Sequence, residues 1–155
     1  MLLCDLMGNT IRQASENDLP HLINLTIGNT QCNTIGMVIL EVLRKSTNER
    51  VIAACLHSID DFRGIAYVRE YINHPQGFVR VHAASALGRI GFREDVDALV
   101  KLLSDPEWWV RYRAAQALAM LPFMTHEDLD ALKDQLTDKF ARDILIQALE
   151  EKRLS

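Results

Sequence analysis

The five histidines of this 155-residue sequence are the side chains best suited to metal binding or acid–base chemistry. They are His21, His57, His74, His82 and His126. A metal-binding helix presents its ligands on one face, typically two histidines at i and i+4 or an H-E-x-x-H run. No two histidines here have that spacing, and the dipeptide His126-Glu127 occurs only once, at an expected helix start where Glu suits the helix dipole. The histidine positions therefore predict no metal site and no cofactor.

Nucleophilic catalysis has no better support in the sequence. There is no G-x-S-x-G elbow, no glycine-rich phosphate loop and no cysteine directly beside a histidine. The paired carboxylates Asp60-Asp61 follow a predicted helix, where a solvated turn accounts for them. We therefore predict no catalytic residues, and a chain that is not an enzyme.

The cysteines and the charge predict the environment of the chain. Cys4, Cys32 and Cys55 are odd in number and widely spaced, which predicts no disulfide framework and favours a reducing, cytoplasmic compartment. Cys55 lies in an apolar run and is expected to be a small buried thiol. The net charge of −4 lacks the basic excess typical of duplex-binding domains, and no apolar run is long enough to span a bilayer.

A 31-residue repeat provides the elements that position these side chains. Residues 75–87 align without gaps with residues 106–118, and Pro, Val, Arg, three Ala and Leu recur in register. The segments between these stretches, such as residues 96–103, carry apolar residues at i, i+3, i+6 and i+7, which is one face of a helix. Each repeat is therefore predicted to be two antiparallel helices.

These patterns predict an all-α fold, an α-α superhelix of about ten helices forming one domain over residues 1–155. Residues 46–155 carry the regular repeats. Residues 1–45 keep helical patterning without the repeat signature, and they include a predicted turn at residues 26–31. Because one face of a terminal repeat meets water, we interpret residues 1–45 as degenerate capping helices. The alternative is that further repeats precede them.

The stretch Asp-Pro-x-x-x-Val-Arg-x-x-Ala-Ala-x-Ala-Leu at residues 105–118 resembles the HEAT repeat family. In particular, it is similar to the bacterial HEAT-like repeats shared with phycobilisome bilin lyases, and the similarity covers about residues 46–155. The resemblance implies a right-handed solenoid of antiparallel helix pairs. Because the shared positions are packing residues, it indicates the fold and says little about function.

The same resemblance implies a structural ladder built on Arg80, Arg111 and Arg142. In the family each such arginine bonds an Asp in the preceding turn between helices. Asp105 stands six residues before Arg111, as this arrangement requires. His74 and Leu136 occupy the equivalent places before Arg80 and Arg142, so those rungs depart from the family pattern.

The pair Trp108-Trp109 points to a binding surface. An aromatic residue recurs 31 residues either side of Trp109, at Phe78 and Phe140, and the sequence leaves open which tryptophan is exposed. In HEAT solenoids the second helix of each pair lines the concave side. Following the second helices from these aromatics gives a predicted partner-binding set, below called the stripe: Phe78, His82, Arg89, Trp109, Arg113 and Gln116. Aromatic, arginine and amide groups of this kind are enriched at protein interfaces.

We therefore predict a non-catalytic scaffold or adaptor that binds a helix or peptide of a protein partner on its concave face. Two alternatives follow from the resemblance. One is a bilin lyase-like protein that handles a chromophore. The other is a HEAT-like nucleic-acid-binding protein, as in the HEAT-like alkylpurine DNA glycosylases, although the acidic charge of the chain opposes it.

Overall fold

The computed structural model describes residues 2–26 and 32–154, and within them the chain forms ten α-helices and no β-strand, as predicted. The predicted turn at residues 26–31 lies outside the described residues apart from Thr26. The helices are α1 (Leu2–Gln13), α2 (Leu19–Leu25), α3 (Asn33–Lys45), α4 (Glu49–Ser58), α5 (Ile65–Tyr71), α6 (Gly77–Ile90), α7 (Val96–Leu102), α8 (Trp108–Met120), α9 (His126–Gln135) and α10 (Lys139–Leu154). Short 3₁₀ turns at Phe62–Gly64 and Arg93–Asp95 precede α5 and α7.

Successive helices pack as hairpins, and the hairpins stack side by side. Each odd-numbered helix contacts the even-numbered helix that follows it. The even-numbered helices, below called the second helices, also contact one another in order from α2 to α10. No helix in the described part of the chain is long and apolar enough to cross a membrane.

Small residues set the closest approach, between α6 and α8. Ala83, Ala84 and Ala86 on α6 are fully buried, and the alanines at the equivalent places on α8 are buried as well. A Cβ added to Gly88 would lie 2.8 Å from the Cα of Ala117, closer than van der Waals contact permits. The Ala-Ala-x-Ala-Leu motif therefore lets neighbouring repeats pack backbone to backbone.

The arginines of the predicted ladder bond differently from the prediction. The Asp105 carboxylate accepts two hydrogen bonds of 2.8 Å from Arg80, in the repeat before it, and both residues are buried. Arg111 instead donates through Nη1 to the main-chain carbonyls of Asp105 and Pro106, at 2.8 and 3.3 Å. The expected pairing of Arg111 with the Asp105 carboxylate is therefore wrong.

The three arginines share their backbone contact. Each donates to the carbonyl six residues earlier: Arg80 to His74, Arg111 to Asp105 and Arg142 to Leu136. Of the three, Arg80 alone also has a carboxylate partner by hydrogen bonding. The Nε atoms of Arg111 and Arg142 are buried without a hydrogen-bond partner. One complete rung therefore joins the α5–α6 and α7–α8 hairpins.

The N-terminal helices contain a disulfide that the sequence did not predict. Cys4 on α1 and Cys32, the residue before α3, are bonded, with their Cα atoms 6.3 Å apart. Their separation of 28 residues is close to one repeat, which brings the two cysteines together where α1 packs against α3. The expectation that the chain has no disulfide was therefore wrong. Cys55 is the free, buried thiol that was predicted, and desolvation raises its pKa to about 12.

Candidate functional site

Three aromatic side chains lie exposed at the start of successive second helices. Phe78 on α6 is 40% exposed, Trp109 on α8 is 44% exposed and Phe140 on α10 is 72% exposed. Trp108 is exposed as well, so both rings of the tryptophan pair face solvent. Because apolar side chains grouped on one surface mark interaction sites more often than singly exposed ones do, this recurrent exposure makes the surface a candidate for binding.

Two histidines meet edge to face on this surface. The rings of His57, on α4, and His82, on α6, have centroids 5.5 Å apart and an interplanar angle of 77°. Desolvation is the first cause lowering both pKa values, and the charges of Arg89 and Arg113 contribute to each. The pKa of His82 falls to about 4, so this half-buried ring is neutral at pH 7.

Stability should therefore depend on His82 at acid pH. Because the pKa of His82 is about 4 in the folded state, and near 6.5 in the unfolded chain, the unfolded chain takes up the proton first. Stability is then fully present above pH 6.5 and is lost as the pH falls towards 4. We expect wild type to lose about 2 kcal/mol more than His82→Gln between pH 7 and pH 4.5. Urea unfolding at the two pH values measures this difference, and equal losses in both proteins would contradict it.

Arg89 has its donors occupied by the protein itself. Its guanidinium donates to the main-chain carbonyls of Leu56, His57 and Ile59 at 2.9 to 3.2 Å, and to the Ser85 hydroxyl at 3.0 Å. These carbonyls are at the C-terminal end of α4, where the helix leaves them without partners. Arg89 therefore joins α6 to α4 as a capping residue, and its contribution to the surface is its positive charge.

Gln116 belongs to a hydrogen-bonded network with α10. Its Nε2 donates to the Tyr112 hydroxyl at 2.8 Å, and that hydroxyl donates to Glu151 at 2.8 Å. Glu151 also accepts from Gln147 at 3.2 Å, and the bond from Tyr112 is the first cause lowering the pKa of Glu151. The network links α8 to α10 on this side of the surface, and the Glu151 carboxylate already accepts hydrogen bonds from Tyr112 and Gln147.

Arg113 is the arginine of α6 and α8 that makes no hydrogen bond and no ion pair within the described residues. It is half-buried on α8, between the histidine pair on one side and the Tyr112 network on the other. With Gln116, Met120 and Glu151 it lines an open groove between α8 and α10. Its guanidinium is therefore free to bind an anionic group from outside.

The structure brings part of the stripe together and gives other parts internal roles. The charges of Arg89 and Arg113 both lower the pKa of His82, so these three side chains lie near one another. Phe78 lies one helical turn before His82, and Trp109 lies one turn before Arg113. Sequence reasoning missed His57 and Tyr112, which also lie on this surface. The i, i+4 spacing of Tyr112 and Gln116 was a usable signal, whereas nothing in the repeat alignment points to His57.

Among the described residues, this surface offers hydrogen-bond donors, aromatic faces and the guanidinium of Arg113, which has no partner there. Over residues 2–26 and 32–154, no group of three or more His, Cys, Asp or Glu side chains is arranged to hold a metal ion. The groups on this surface can stack, donate hydrogen bonds and carry positive charge.

Comparison with known proteins identifies the repeats. The family model for HEAT repeats matches residues 65–151, which is more than half of the chain. No curated protein matches the sequence. The match is to HEAT repeats in general and does not single out the subgroup shared with bilin lyases. With its stacked helical hairpins and its repeated Val-Arg-x-x-Ala-Ala-x-Ala-Leu motif, the chain belongs to the HEAT repeat family.

Proposed function

We propose that the chain is a non-catalytic, cytoplasmic interaction module that binds a helix or peptide of a protein partner on the exposed face of its second helices. HEAT repeats commonly serve as protein-interaction scaffolds. The single observation that carries the proposal is the exposed aromatic column Phe78, Trp109 and Phe140, which recurs once per repeat on one side of the molecule.

The aromatic column lies outside the hydrophobic core of the helices. The core under it is built from the buried residues of the Ala-Ala-x-Ala-Leu motif, whereas Phe78 and Trp109 remain more than a third exposed. Partly exposed aromatic rings bind well, since they offer a large contact area and lose little rotamer freedom. The column therefore has the composition of an interface centre.

The chain offers a matched pair of variants for testing this proposal. Phe78 and Phe92 have similar exposures, 40% and 48%; Phe78 lies in the first turn of α6 and Phe92 lies just after its last residue. The length of α6 separates them by about 20 Å. We expect Phe78→Ala or Trp109→Ala to weaken binding of a partner isolated by affinity capture by about 2 kcal/mol, roughly thirtyfold. Phe92→Ala should bind as wild type does.

Titration of each variant against the captured partner gives the result. A loss on Phe92→Ala, with wild-type affinity in Phe78→Ala and Trp109→Ala, would move the site to the turns and would contradict the proposal. Thermal melts of the same variants control for folding, because a variant that melts well above the temperature of the titration is folded while binding is measured.

A further inference from the structure

The charges on the second-helix surface are divided between its two sides. On the α4 and α6 side lie His57, His82 and Arg89, and the carboxylate of Asp60 acts on Arg89 there. On the α10 side lies Glu151, which already accepts hydrogen bonds from two neighbours. Arg113 lies between them, and its charge acts on both histidines and on Arg89. Arg89 therefore adds a positive charge on the α6 side of Arg113, and Glu151 adds a carboxylate on the α10 side, where Lys152 lines the same groove.

Within the described residues, Arg113 differs from the other arginines of α6 and α8 because it has no hydrogen-bond or ion-pair partner. Arg80 binds the Asp105 carboxylate, Arg89 caps α4, and Arg111 donates to main-chain carbonyls. A half-buried guanidinium without an acceptor is unfavourable, since its five donors lose part of their hydration. An external carboxylate that approaches from the α6 side would supply the missing acceptor, and it would keep its distance from Glu151.

Helix geometry places an apolar contact beside this charge. Trp109 and Phe78 each lie four residues before the polar residue on the same helix face, Arg113 and His82 respectively. Four residues of α-helix rise about 6 Å. In an extended peptide, two residues on the same side are about 6.6–7 Å apart. The aromatic pair and the cation therefore have the spacing of two alternate side chains of an extended segment.

We infer that the second-helix surface recognises an extended acidic segment of a partner protein, in which an Asp or Glu side chain binds Arg113 and an apolar side chain two positions away packs on Phe78 and Trp109. The inference rests on the proposed function and adds the chemistry of the partner. A phosphate backbone fits the surface less well. Duplex binding depends on several free cations, whereas Arg113 is the single unpaired arginine of α6 and α8 within the described residues.

The test uses a displayed library of random twelve-residue peptides, selected on the full chain at physiological salt. Selected peptides are then synthesised with amidated C-termini, so that a side chain is the only source of a carboxylate. We expect enrichment of Asp or Glu two positions from an aromatic or aliphatic residue. Arg113→Gln should weaken these peptides about tenfold or more, and Arg113→Glu should select peptides with Lys or Arg at the same place. A duplex DNA of twenty base pairs serves as the competing probe, and we expect it to bind more weakly than the selected peptides.

The outcomes separate this inference from the proposed function. Peptides that lose affinity in Phe78→Ala but show no acidic enrichment and bind Arg113→Gln normally would overturn the acidic segment and leave the interaction surface in place. Peptides indifferent to both Phe78→Ala and Arg113→Gln would overturn the surface itself. Tighter binding of the DNA, lost on Arg113→Gln, would replace the peptide by nucleic acid. Reversal of the selected charge by Arg113→Glu supports the inference and cannot arise from misfolding.

Discussion

Replacing Arg80 by alanine is expected to destabilise the protein by about 3–5 kcal/mol, because it leaves a buried carboxylate without its cation. Asp105 is 7% exposed, and both of its carboxylate oxygens accept from Arg80. After the substitution, the hydrogen bond that remains to the carboxylate in the structure is the one from the main-chain N–H of Glu107 at 3.0 Å. Chemical denaturation of wild type and Arg80→Ala measures the loss.

The chain supplies its own control for this experiment. Arg111 is the repeat equivalent of Arg80 and makes the same contact to a carbonyl six residues earlier, but has no carboxylate partner within hydrogen-bond distance. Arg111→Ala should therefore cost about 1–2 kcal/mol, the value of hydrogen bonds from a charged donor. A loss from Arg111→Ala that equals or exceeds the loss from Arg80→Ala would show that Asp105 pairs within its own repeat.

The second large effect is expected at the disulfide. In the chain-entropy model, a bond that closes a loop of about 28 residues stabilises the folded state by about 3.5 kcal/mol. For a domain of this size, that corresponds to about 7–14 °C in melting temperature. We expect Cys4→Ser to lower the Tm of the oxidised protein by this amount, and dithiothreitol to lower the Tm of wild type equally.

The control for this prediction is the effect of reductant on the Tm of Cys4→Ser. Cys4→Ser should melt at the same temperature with and without reductant, because Cys55 is buried and takes part in no bond. Mass spectrometry after alkylation without reduction should find Cys4 and Cys32 unmodified in wild type. Alkylation of both thiols, or a wild-type Tm unaffected by reductant, would contradict the bond. In a reducing cytoplasm the bond would be open. The Tm values of the reduced and the oxidised wild type therefore give the lower and upper limits of the protein's thermal stability.

The sequence predicted the helices and the packing between repeats well, because both depend on local periodicity. The 31-residue alignment of Ala83 with Ala114 and of Leu87 with Leu118 identified the buried faces of α6 and α8, and these residues are fully buried. That both tryptophans are exposed could not be predicted from the sequence. Ring exposure depends on the room that the next hairpin leaves, and the repeat motif does not encode this.

The ladder register and the role of Arg89 were beyond the sequence for a related reason. A repeat motif gives the position of a side chain within its own hairpin, whereas Arg80 reaches across to the Asp105 of the next hairpin. Arg89 belongs to the predicted stripe, yet its long side chain turns back and donates to main-chain carbonyls at the C-terminal end of α4. Both contacts depend on the offset between hairpins, which a single sequence does not specify.

The interaction surface is tested most directly by hydroxyl-radical footprinting of the chain with and without its captured partner. Aromatic side chains react strongly, and the surface holds exposed rings at Phe78 and Trp109, while Phe62 and Phe92 lie exposed in the turns between hairpins. We expect partner binding to lower labelling of Phe78 and Trp109 several-fold and to leave labelling of Phe62 and Phe92 unchanged. Protection of Phe62 and Phe92, with Phe78 and Trp109 labelled as in the free protein, would contradict it.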